Sequence, residues 1–278
     1  MNTNFNDKVK LEDNHEDVLA KAMRGLGKGK TEVSAKLGMP KSRINKVLDG
    51  GIDDEVIARL ALLLGLDAEK LLDSSYQKWF PPTIEVEQLS QFNLPYGSMF
   101  VNSYLIWDQS SKEAWLFDTG PNATPIVEAI KSRGLSLKAI FLTHTHPDHV
   151  ACLDEVKVKT GTPTVFVHEL ERIVDACTIQ GGFESFMGAL SLLALHTSGH
   201  SLGGVSYLIK GLAKPIVVCG DSLFAGSMGG GMISFTEALQ NNREKLMVLA
   251  SETVVCPGHG PMTTIGEEKK HNPFFPEF

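Results

Sequence analysis

The first 78 residues carry apolar side chains at the spacing of amphipathic helices. Within this stretch, Thr31 and Gly38 are suited to begin and end a short helix. Two prolines, Pro81 and Pro82, then prevent a helix from continuing. The pattern predicts a small all-helical domain over residues 1–78 and a linker over residues 79–83. The predicted helices span residues 15–26, 31–38, 40–48, 53–66 and 67–72.

From residue 84 onward, short apolar runs alternate with longer amphipathic stretches. Alternation of this kind is typical of an α/β domain built in layers, here spanning residues 84–278. The predicted strands cover residues 83–87, 99–106, 114–117, 138–142, 164–167, 192–196, 205–209, 216–219 and 253–256. The predicted helices cover residues 123–133, 149–160, 169–177 and 236–250.

The composition is that of an ordinary globular protein, with 42% hydrophobic and 21% charged residues. The longest apolar run, residues 57–66, is interrupted by Arg59 and Gly65, and nothing approaches the roughly 20 apolar residues of a membrane span. The N-terminus lacks the apolar region of a signal peptide. We therefore expect a cytoplasmic protein that does not associate with membranes.

The densest chemical signal is a cluster of three histidines and an aspartate, which directly follows the apolar run at residues 139–142. These four residues are His144, His146, Asp148 and His149. Imidazole and carboxylate groups are the usual ligands of a borderline divalent metal such as zinc. The sequence therefore predicts a metal site on the loop at the end of a buried strand.

Three further candidate ligands follow the same rule. His200, Asp221 and His259 each lie in a glycine-containing turn just after an apolar run. Strand ends that deliver metal-binding side chains one after another indicate a single shared edge of a sheet. Loops held by a rigid scaffold are also where catalytic groups are usually placed.

The order of these motifs resembles the metallo-β-lactamase superfamily. The HxHxDH motif, a Gly-His turn, a Gly-Asp pair and a Pro-Gly-His turn occur in sequence, and residues 117–120 match the superfamily's earlier Asp motif. The resemblance covers about residues 84–278 and implies an αβ/βα sandwich with the metal site at one end, between two sheets. Within the superfamily, residues 257–275 are most similar to the ending of short, glyoxalase II-like hydrolases.

The resemblance also implies two divalent metal ions, zinc by default, with iron and manganese as alternatives. Their implied ligands are His144, His146 and His200 for the first ion, Asp148, His149 and His259 for the second, and Asp221 as the bridge. Two cations that share a carboxylate can activate a water molecule as the nucleophile, so that no serine or cysteine nucleophile is required. Asp118 would fix the metal-binding loop by hydrogen bonding. The candidate catalytic residues are the carboxylates Asp118, Asp148 and Asp221.

A bridging aspartate favours hydrolysis of a small-molecule thioester or related ester over β-lactam cleavage. We expect a departure from glyoxalase II proper, because no additional C-terminal helical domain is expected after Phe275 and Gly260-Pro261 follows the last ligand histidine. The glycine-rich loop at residues 225–232 is interpreted either as a mobile rim of the substrate site or as a loop without substrate contact. Two alternative functions are a mononuclear iron persulfide dioxygenase and a transcriptional regulator that senses a metal or ligand.

The helical region resembles the phage-repressor-like helix-turn-helix family over about residues 15–74, through Ala35, Gly38, Ile44 and Val47. Residues 21–46 hold eight lysine and arginine residues against a single glutamate. The expected DNA contacts lie at the start of the recognition helix, at Lys41, Ser42, Arg43 and Asn45. The alternative is a packing or dimerisation element with a solvated basic face. Useful DNA affinity would require a homodimer spanning two half-sites.

Overall fold

The computed structural model describes residues 9–161 and 163–278. The N-terminal helices are α1 (His15–Gly25), α2 (Lys30–Leu37), α3 (Lys41–Leu48), α4 (Asp54–Leu64) and α5 (Ala68–Ser75). Gly38 ends α2 in the left-handed conformation, with φ 62°, which a residue without a Cβ adopts at little cost. Asp53 and Asp67 accept hydrogen bonds from backbone N–H groups at the starts of α4 and α5. The predicted helices are present, with small shifts at their ends. Thr31 does not cap α2 as predicted, because Gly29 occupies the N-cap and Thr31 lies inside the helix.

The strands of the described residues form two six-stranded sheets. The first consists of β1 (Leu89–Tyr96), β2 (Met99–Trp107), β3 (Glu113–Phe117), β4 (Ser136–Phe141), β5 (Thr164–His168) and β6 (Cys177–Ile179). The second consists of β7 (Glu184–Met187), β8 (Leu190–His196), β9 (Val205–Lys210), β10 (Ile216–Gly220), β11 (Val254–Pro257) and β12 (Thr263–Thr264). In both sheets the strands follow one another in chain order, and β3 to β6 run parallel.

Helices cover the outer faces of these sheets. They are α6 (Ala123–Ser132), α7 (Pro147–Val150), α8 (Leu153–Thr160), α9 (Phe235–Asn241) with a π-helical turn after it (Asn242–Leu246), and α10 (Ile265–His271). Alternate residues of β2 divide between the layers: Tyr104 and Ile106 belong to the core between the sheets, whereas Leu105 and Trp107 pack with α6 and α8. The predicted layered α/β arrangement is confirmed.

Some predicted elements are wrong. Residues 169–177 form turns that lead into β6, and not a helix. Leu170 and Val174 are 52% and 83% exposed, so this segment buries too little of an apolar face to stabilise a helix. Residues 83–86 have no strand partner, and the first strand begins only at Leu89. The predicted helix over residues 149–160 is interrupted by a turn between α7 and α8.

The N-terminal helices pack directly on the second sheet. Side chains of α1 to α5 share one hydrophobic cluster with residues of β9, β10, α9 and the C-terminal segment. Lys70 of α5 donates hydrogen bonds to the backbone carbonyls of Lys269 and Phe275, each at 2.9 Å. Gly25 lies so close to Phe235 that a Cβ added there would meet the ring at 2.2 Å. The helices and the sheet are thus joined by a common core.

The segment expected to be a linker is also held in place. Trp79 donates a hydrogen bond to Glu267 at 2.9 Å, and its ring stacks on His271 with centroids 4.7 Å apart. The division into domains at residues 78 and 84 stays a prediction, because packing does not decide whether either part folds alone. Over residues 9–161 and 163–278, no helix combines the length and apolar character needed to cross a lipid bilayer.

The shared core predicts that the helices and the sheets unfold together. Phe275 is fully buried in this core, so Phe275→Ala should lower the free energy of unfolding by about 3–5 kcal/mol. Calorimetry of the full chain should show one transition that moves to lower temperature as a whole. Phe186→Ala, on an exposed side chain of β7, is the control and should change little. A separate helical transition that Phe275→Ala leaves in place would contradict a common core.

Candidate metal centre

All seven predicted ligands converge at one end of the two sheets. His144 and His146 lie on the loop between β4 and α7, Asp148 and His149 lie in α7, and the others follow β8, β10 and β11. Asp148, His149 and Asp221 are buried, whereas His146 and His200 are half-buried. The seven ligand candidates are His144, His146, Asp148, His149, His200, Asp221 and His259. Strand ends that meet at one edge thus assemble a polar cluster whose open side is near His146 and His200.

One group consists of three histidines. The Nε2 atoms of His144 and His200 each lie 3.0 Å from Nδ1 of His146, so three imidazole nitrogens point at a common centre. These atoms all lie within 4.8 Å of one another, which is the spacing of ligands around a single ion. This group matches the residues that the resemblance implied for the first metal ion.

A second group consists of Asp148, His149 and His259. Oδ2 of Asp148 lies 3.6 Å from Nε2 of His149 and 3.4 Å from Nε2 of His259. Asp221 lies between the two groups: its carboxylate is 3.3 Å from Nε2 of both His149 and His200, and 3.4 Å from Nε2 of His259. Its two oxygens therefore face both groups, as a bridging carboxylate requires.

Three of the histidines hydrogen-bond through the nitrogen that faces away from the cluster. Nδ1 of His149 donates to Asp118 at 2.8 Å, and Nδ1 of His200 donates to the backbone carbonyl of Gly230 at 2.9 Å. Nδ1 of His259 donates to the carbonyl of Phe100. Histidines that bind metal ions usually donate their other N–H in this way, which fixes the tautomer and the ring orientation. Each of these rings thereby presents an Nε2 lone pair to the centre.

Asp118 connects the metal-binding loop to its support. This residue is buried with φ 53°, an unusual conformation for a residue with a side chain. Its carboxylate accepts hydrogen bonds from the backbone N–H of Thr143 at 2.8 Å and from the Thr143 hydroxyl at 2.7 Å, in addition to His149. The Thr143 hydroxyl lies 3.1 Å from Nδ1 of His144. Asp118 therefore orients both histidine rings without facing the centre itself.

The charges and unpaired atoms of the cluster fit a divalent cation. Nε2 of His149 and Oδ1 of Asp221 are buried without a hydrogen-bond partner, which is costly unless a cation binds them. Burial opposes protonation of His149, but Asp118 and Asp221 raise its pKa to about 10. Burial also opposes protonation of His259, whose pKa Asp221 and Asp148 raise to about 11. The carboxylates thus stabilise positive charge in the cluster, and a divalent ion bound by nitrogen and oxygen ligands would supply that charge.

Two other histidines near the cluster have different surroundings. His168 and His196 stack on each other with ring centroids 4.2 Å apart. The backbone N–H of Leu170 donates to Nδ1 of His168, and Nε2 of His196 lies 3.0 Å from the carbonyl of Leu202. Neither histidine belongs to the ligand groups among the described residues.

Sequence reasoning missed Glu171, which ties two metal-binding loops together. Its carboxylate accepts hydrogen bonds from the Thr145 hydroxyl and, at 3.0 Å, from the backbone N–H of Gly203. Thr145 lies between two ligand candidates, and Gly203 is in the turn after His200. The incorrect helix over residues 169–177 concealed this role, because it gave the glutamate no special position.

The predicted DNA-contact residues differ in their availability. Lys41 and Ser42 are exposed at the start of α3, and Asn45 is half-buried. Arg43 donates hydrogen bonds to both oxygens of Asp53, at 2.9 and 2.8 Å, and to Glu55 at 2.9 Å. These carboxylates raise the pKa of Arg43 and neutralise much of its charge toward a partner. The start of α3 is therefore less basic than its sequence indicates.

Comparison with known proteins agrees with this fold and cluster. The family model described as the metallo-beta-lactamase superfamily matches residues 96–259, and the chain belongs to this superfamily. The probable metallo-hydrolase YqgX of Bacillus subtilis is 35% identical over 211 residues, covering 66% of this chain and 97% of that protein. The hydroxyacylglutathione hydrolase GloC of Haemophilus influenzae is 27% identical over 205 residues, covering 65% of this chain and 95% of that protein.

A solved structure gives the same fold. The crystal structure of ETHE1 from Myxococcus xanthus superposes with a TM-score of 0.58 and 27% sequence identity, covering 66% of this chain and 83% of that one. The predicted α/β superfamily fold is therefore confirmed. The matched regions leave the N-terminal helices without a counterpart in the family model, which begins at residue 96.

The position of Asp118 predicts that metal affinity depends on a residue that does not face the centre. Asp118→Ala removes the partner of His149 and Thr143, so zinc affinity should fall by about 10- to 100-fold. Competition with a chromophoric chelator measures this change. Asp154→Ala, on the exposed face of α8, is the matched control and should bind zinc like the wild type. Equal affinities for the two variants would refute the orienting role.

Proposed function

We propose that this chain is a dinuclear metal-dependent hydrolase of thioesters or related carboxylic esters. The observation that carries the proposal is the position of Asp221 between the two ligand groups, within 3.4 Å of His149, His200 and His259. When bound there, a pair of divalent ions would lower the pKa of water and polarise a carbonyl oxygen. The protein holds both ligand groups in fixed positions, because Asp118 and the backbone carbonyls of Gly230 and Phe100 accept hydrogen bonds from the outer nitrogens of the histidine rings.

The surroundings of the cluster support an organic ester as the substrate. Exposed apolar side chains lie beside the ligands: Phe100, whose carbonyl binds His259, and Leu202, two residues after His200. Met232 and Ile233 are also exposed, and the backbone N–H of Ile233 bonds to the carbonyl of Gly199. Apolar surface beside a metal cluster suits an acyl group better than a polyanionic phosphodiester. The hydroxyacylglutathione hydrolase among the relatives agrees with the choice of a thioester.

A mononuclear iron persulfide dioxygenase is the second candidate, and one feature favours it. His144, His149 and Asp221 also form a close group of two histidines and one carboxylate. That ligand set is typical of non-haem iron(II) oxygenases. Oxygen uptake with a persulfide substrate and iron-loaded protein distinguishes this reaction from hydrolysis.

The helical region remains a candidate DNA-binding unit, which would make the protein a regulator as well as an enzyme. The feature that favours it is the geometry of α2 and α3, which pack together and are joined by a short turn at Gly38. Lys41 and Ser42 at the start of α3 would contact phosphate or base edges. A homodimer would be needed to occupy two half-sites.

Loss of the bridging carboxylate tests the dinuclear hydrolase. Asp221→Ala should reduce thioester turnover by about a hundredfold or more, because direct ligands contribute more than the outer groups whose loss costs 10- to 100-fold. Turnover should be measured on a panel of thioesters, lactones, phosphoesters and β-lactams with zinc-, iron- and manganese-loaded protein. Asp175→Ala, on a turn in the loop between β5 and β6, is the control. Unchanged turnover in Asp221→Ala, or cleavage of phosphoesters alone, would refute the proposal.

Removal of the metal provides a second test that does not depend on the substrate. Because no protein nucleophile is assigned, chelation followed by dialysis should abolish turnover, and added divalent metal should restore it. Turnover by protein shown to be free of metal by elemental analysis would overturn the mechanism.

Electrophoretic mobility shifts test DNA binding at about 50 mM salt, where phosphate contacts are strong. With a duplex of mixed sequence, Lys41→Ala should weaken the shift several-fold. Arg43→Ala should weaken it less, since Arg43 is already bound to Asp53 and Glu55. No shift by the wild-type protein at this salt concentration would eliminate the DNA-binding function.

A further inference from the structure

Residues 9–14, the N-terminal segment that precedes α1, lie against Gly260, the residue that follows the last ligand histidine. Gly260 follows His259 and has φ +76°, and a Cβ added to it would lie 3.2 Å from the backbone nitrogen of Glu12 and 3.6 Å from the carbonyl of Lys10. A larger residue at position 260 would push this segment away. The glycine thus allows the N-terminal segment to cover the edge of the metal cluster.

Within this segment, Glu12 has different neighbours from the residues beside it. Leu11 and Asp13 line a small cavity together with Trp79 and Ala225. Glu12 instead lies against Gly260 and is only half-buried. Burial raises the pKa of Glu12, and the nearby charges of His259, Asp13, Lys21 and Asp221 also act on it. Glu12 is therefore beside the residue that follows the last ligand histidine, and it is partly exposed to solvent.

Helix α1 fixes this segment to the loop that follows Asp221. Lys21 forms an ion pair with Asp13 and donates a hydrogen bond to the carbonyl of Met228 at 2.9 Å. Its ammonium group also lies 4.9 Å from the centre of the Phe224 ring, which packs edge-on against His259. Lys21 thus ties Asp13 to the loop, whereas Glu12 lies on the other side of the segment, with its Cβ 3.5 Å from the position of a Cβ on Gly260.

The same contacts change the interpretation of the glycine-rich loop at residues 225–232. Met228 and Gly229 are buried, and a Cβ on Gly229 would overlap the carbonyl of Asp221 at 1.8 Å. Gly230 accepts the hydrogen bond from His200. The first part of this loop is therefore clamped between α1 and the ligands, and only its end at Met232 is strongly exposed. The N-terminal segment, which packs on this loop through Lys21, is therefore held in a fixed position beside the ligands.

We propose that the N-terminal segment forms one wall of the substrate site and that Glu12 is a specificity-determining residue. Its carboxylate would favour a substrate whose thiol or alcohol portion carries a cation or an N–H donor beside the reacting group, and would disfavour one that carries an anion there. This inference rests on the proposed hydrolase function. It also makes α1 part of the structure that forms the hydrolase site, independently of whether the helical region binds DNA.

Three small thiols that differ in charge test this proposal without requiring turnover. Thiocholine is cationic, N-acetylcysteamine is neutral and thioglycolate is anionic, and each is titrated calorimetrically into the zinc-loaded full chain. Glu12→Gln should weaken thiocholine binding by about tenfold, which corresponds to about 1.4 kcal/mol. It should leave N-acetylcysteamine unchanged and strengthen thioglycolate binding. Comparing each thiol with itself in the two proteins removes the intrinsic difference between their thiol groups.

Glu69→Gln, on the exposed surface of α5, is the matched control and should alter none of the three affinities. Metal content and melting temperature of Glu12→Gln should equal those of the wild type. A parallel change for all three thiols, or no change for any, would overturn the role of Glu12. The acetyl thioesters of the same thiols are assayed separately for hydrolysis by the wild type. If none is hydrolysed while the thiols still show the charge-dependent change in affinity, the proposed thioester hydrolysis is wrong and the role of Glu12 in binding is supported.

Discussion

The packing of five histidines, three of them buried, among buried carboxylates at one end of the sandwich is the constraint on which the rest of the site depends. Imidazole rings that carry no charge can be buried cheaply, but Asp118, Asp148 and Asp221 cannot be buried ionised without a positive partner. Hydrogen bonds from the outer ring nitrogens to Asp118, Gly230 and Phe100 leave the inner nitrogens as acceptors. A divalent cation satisfies both requirements at once.

The scaffold makes this arrangement rigid. The ligands follow the ends of β4, β8, β10 and β11, whose side chains are locked in the core between the sheets. Glu171 and Asp118 then join loops that the strands alone would leave independent. On the other face of the second sheet, Lys21 of α1 and Glu12 of the segment before it are added to the surroundings of the same cluster. The helical region and the hydrolase are therefore one structural unit at the metal end.

Much of this was readable from the sequence, since strand-end histidines and aspartates have a recognisable pattern. The order of the ligand motifs also identified the superfamily and the two layered sheets. Backbone partners such as Gly230 and Phe100 leave no trace in the sequence, because any residue has a carbonyl. The docking of α1 was equally hidden: an apolar helix face looks the same whether it packs on other helices or on a sheet. The ion pairs of Arg43 were hidden for a related reason, because its partners Asp53 and Glu55 lie at the start of the next helix.

The central claim is that two metal ions share Asp221. Crystals of the zinc-loaded full chain, measured on both sides of the zinc absorption edge, test it most directly. A dinuclear site should give two anomalous peaks about 3.5–4 Å apart, with the carboxylate of Asp221 between them. A single peak at full occupancy, bound by two histidines and Asp221 with no second site, would contradict it.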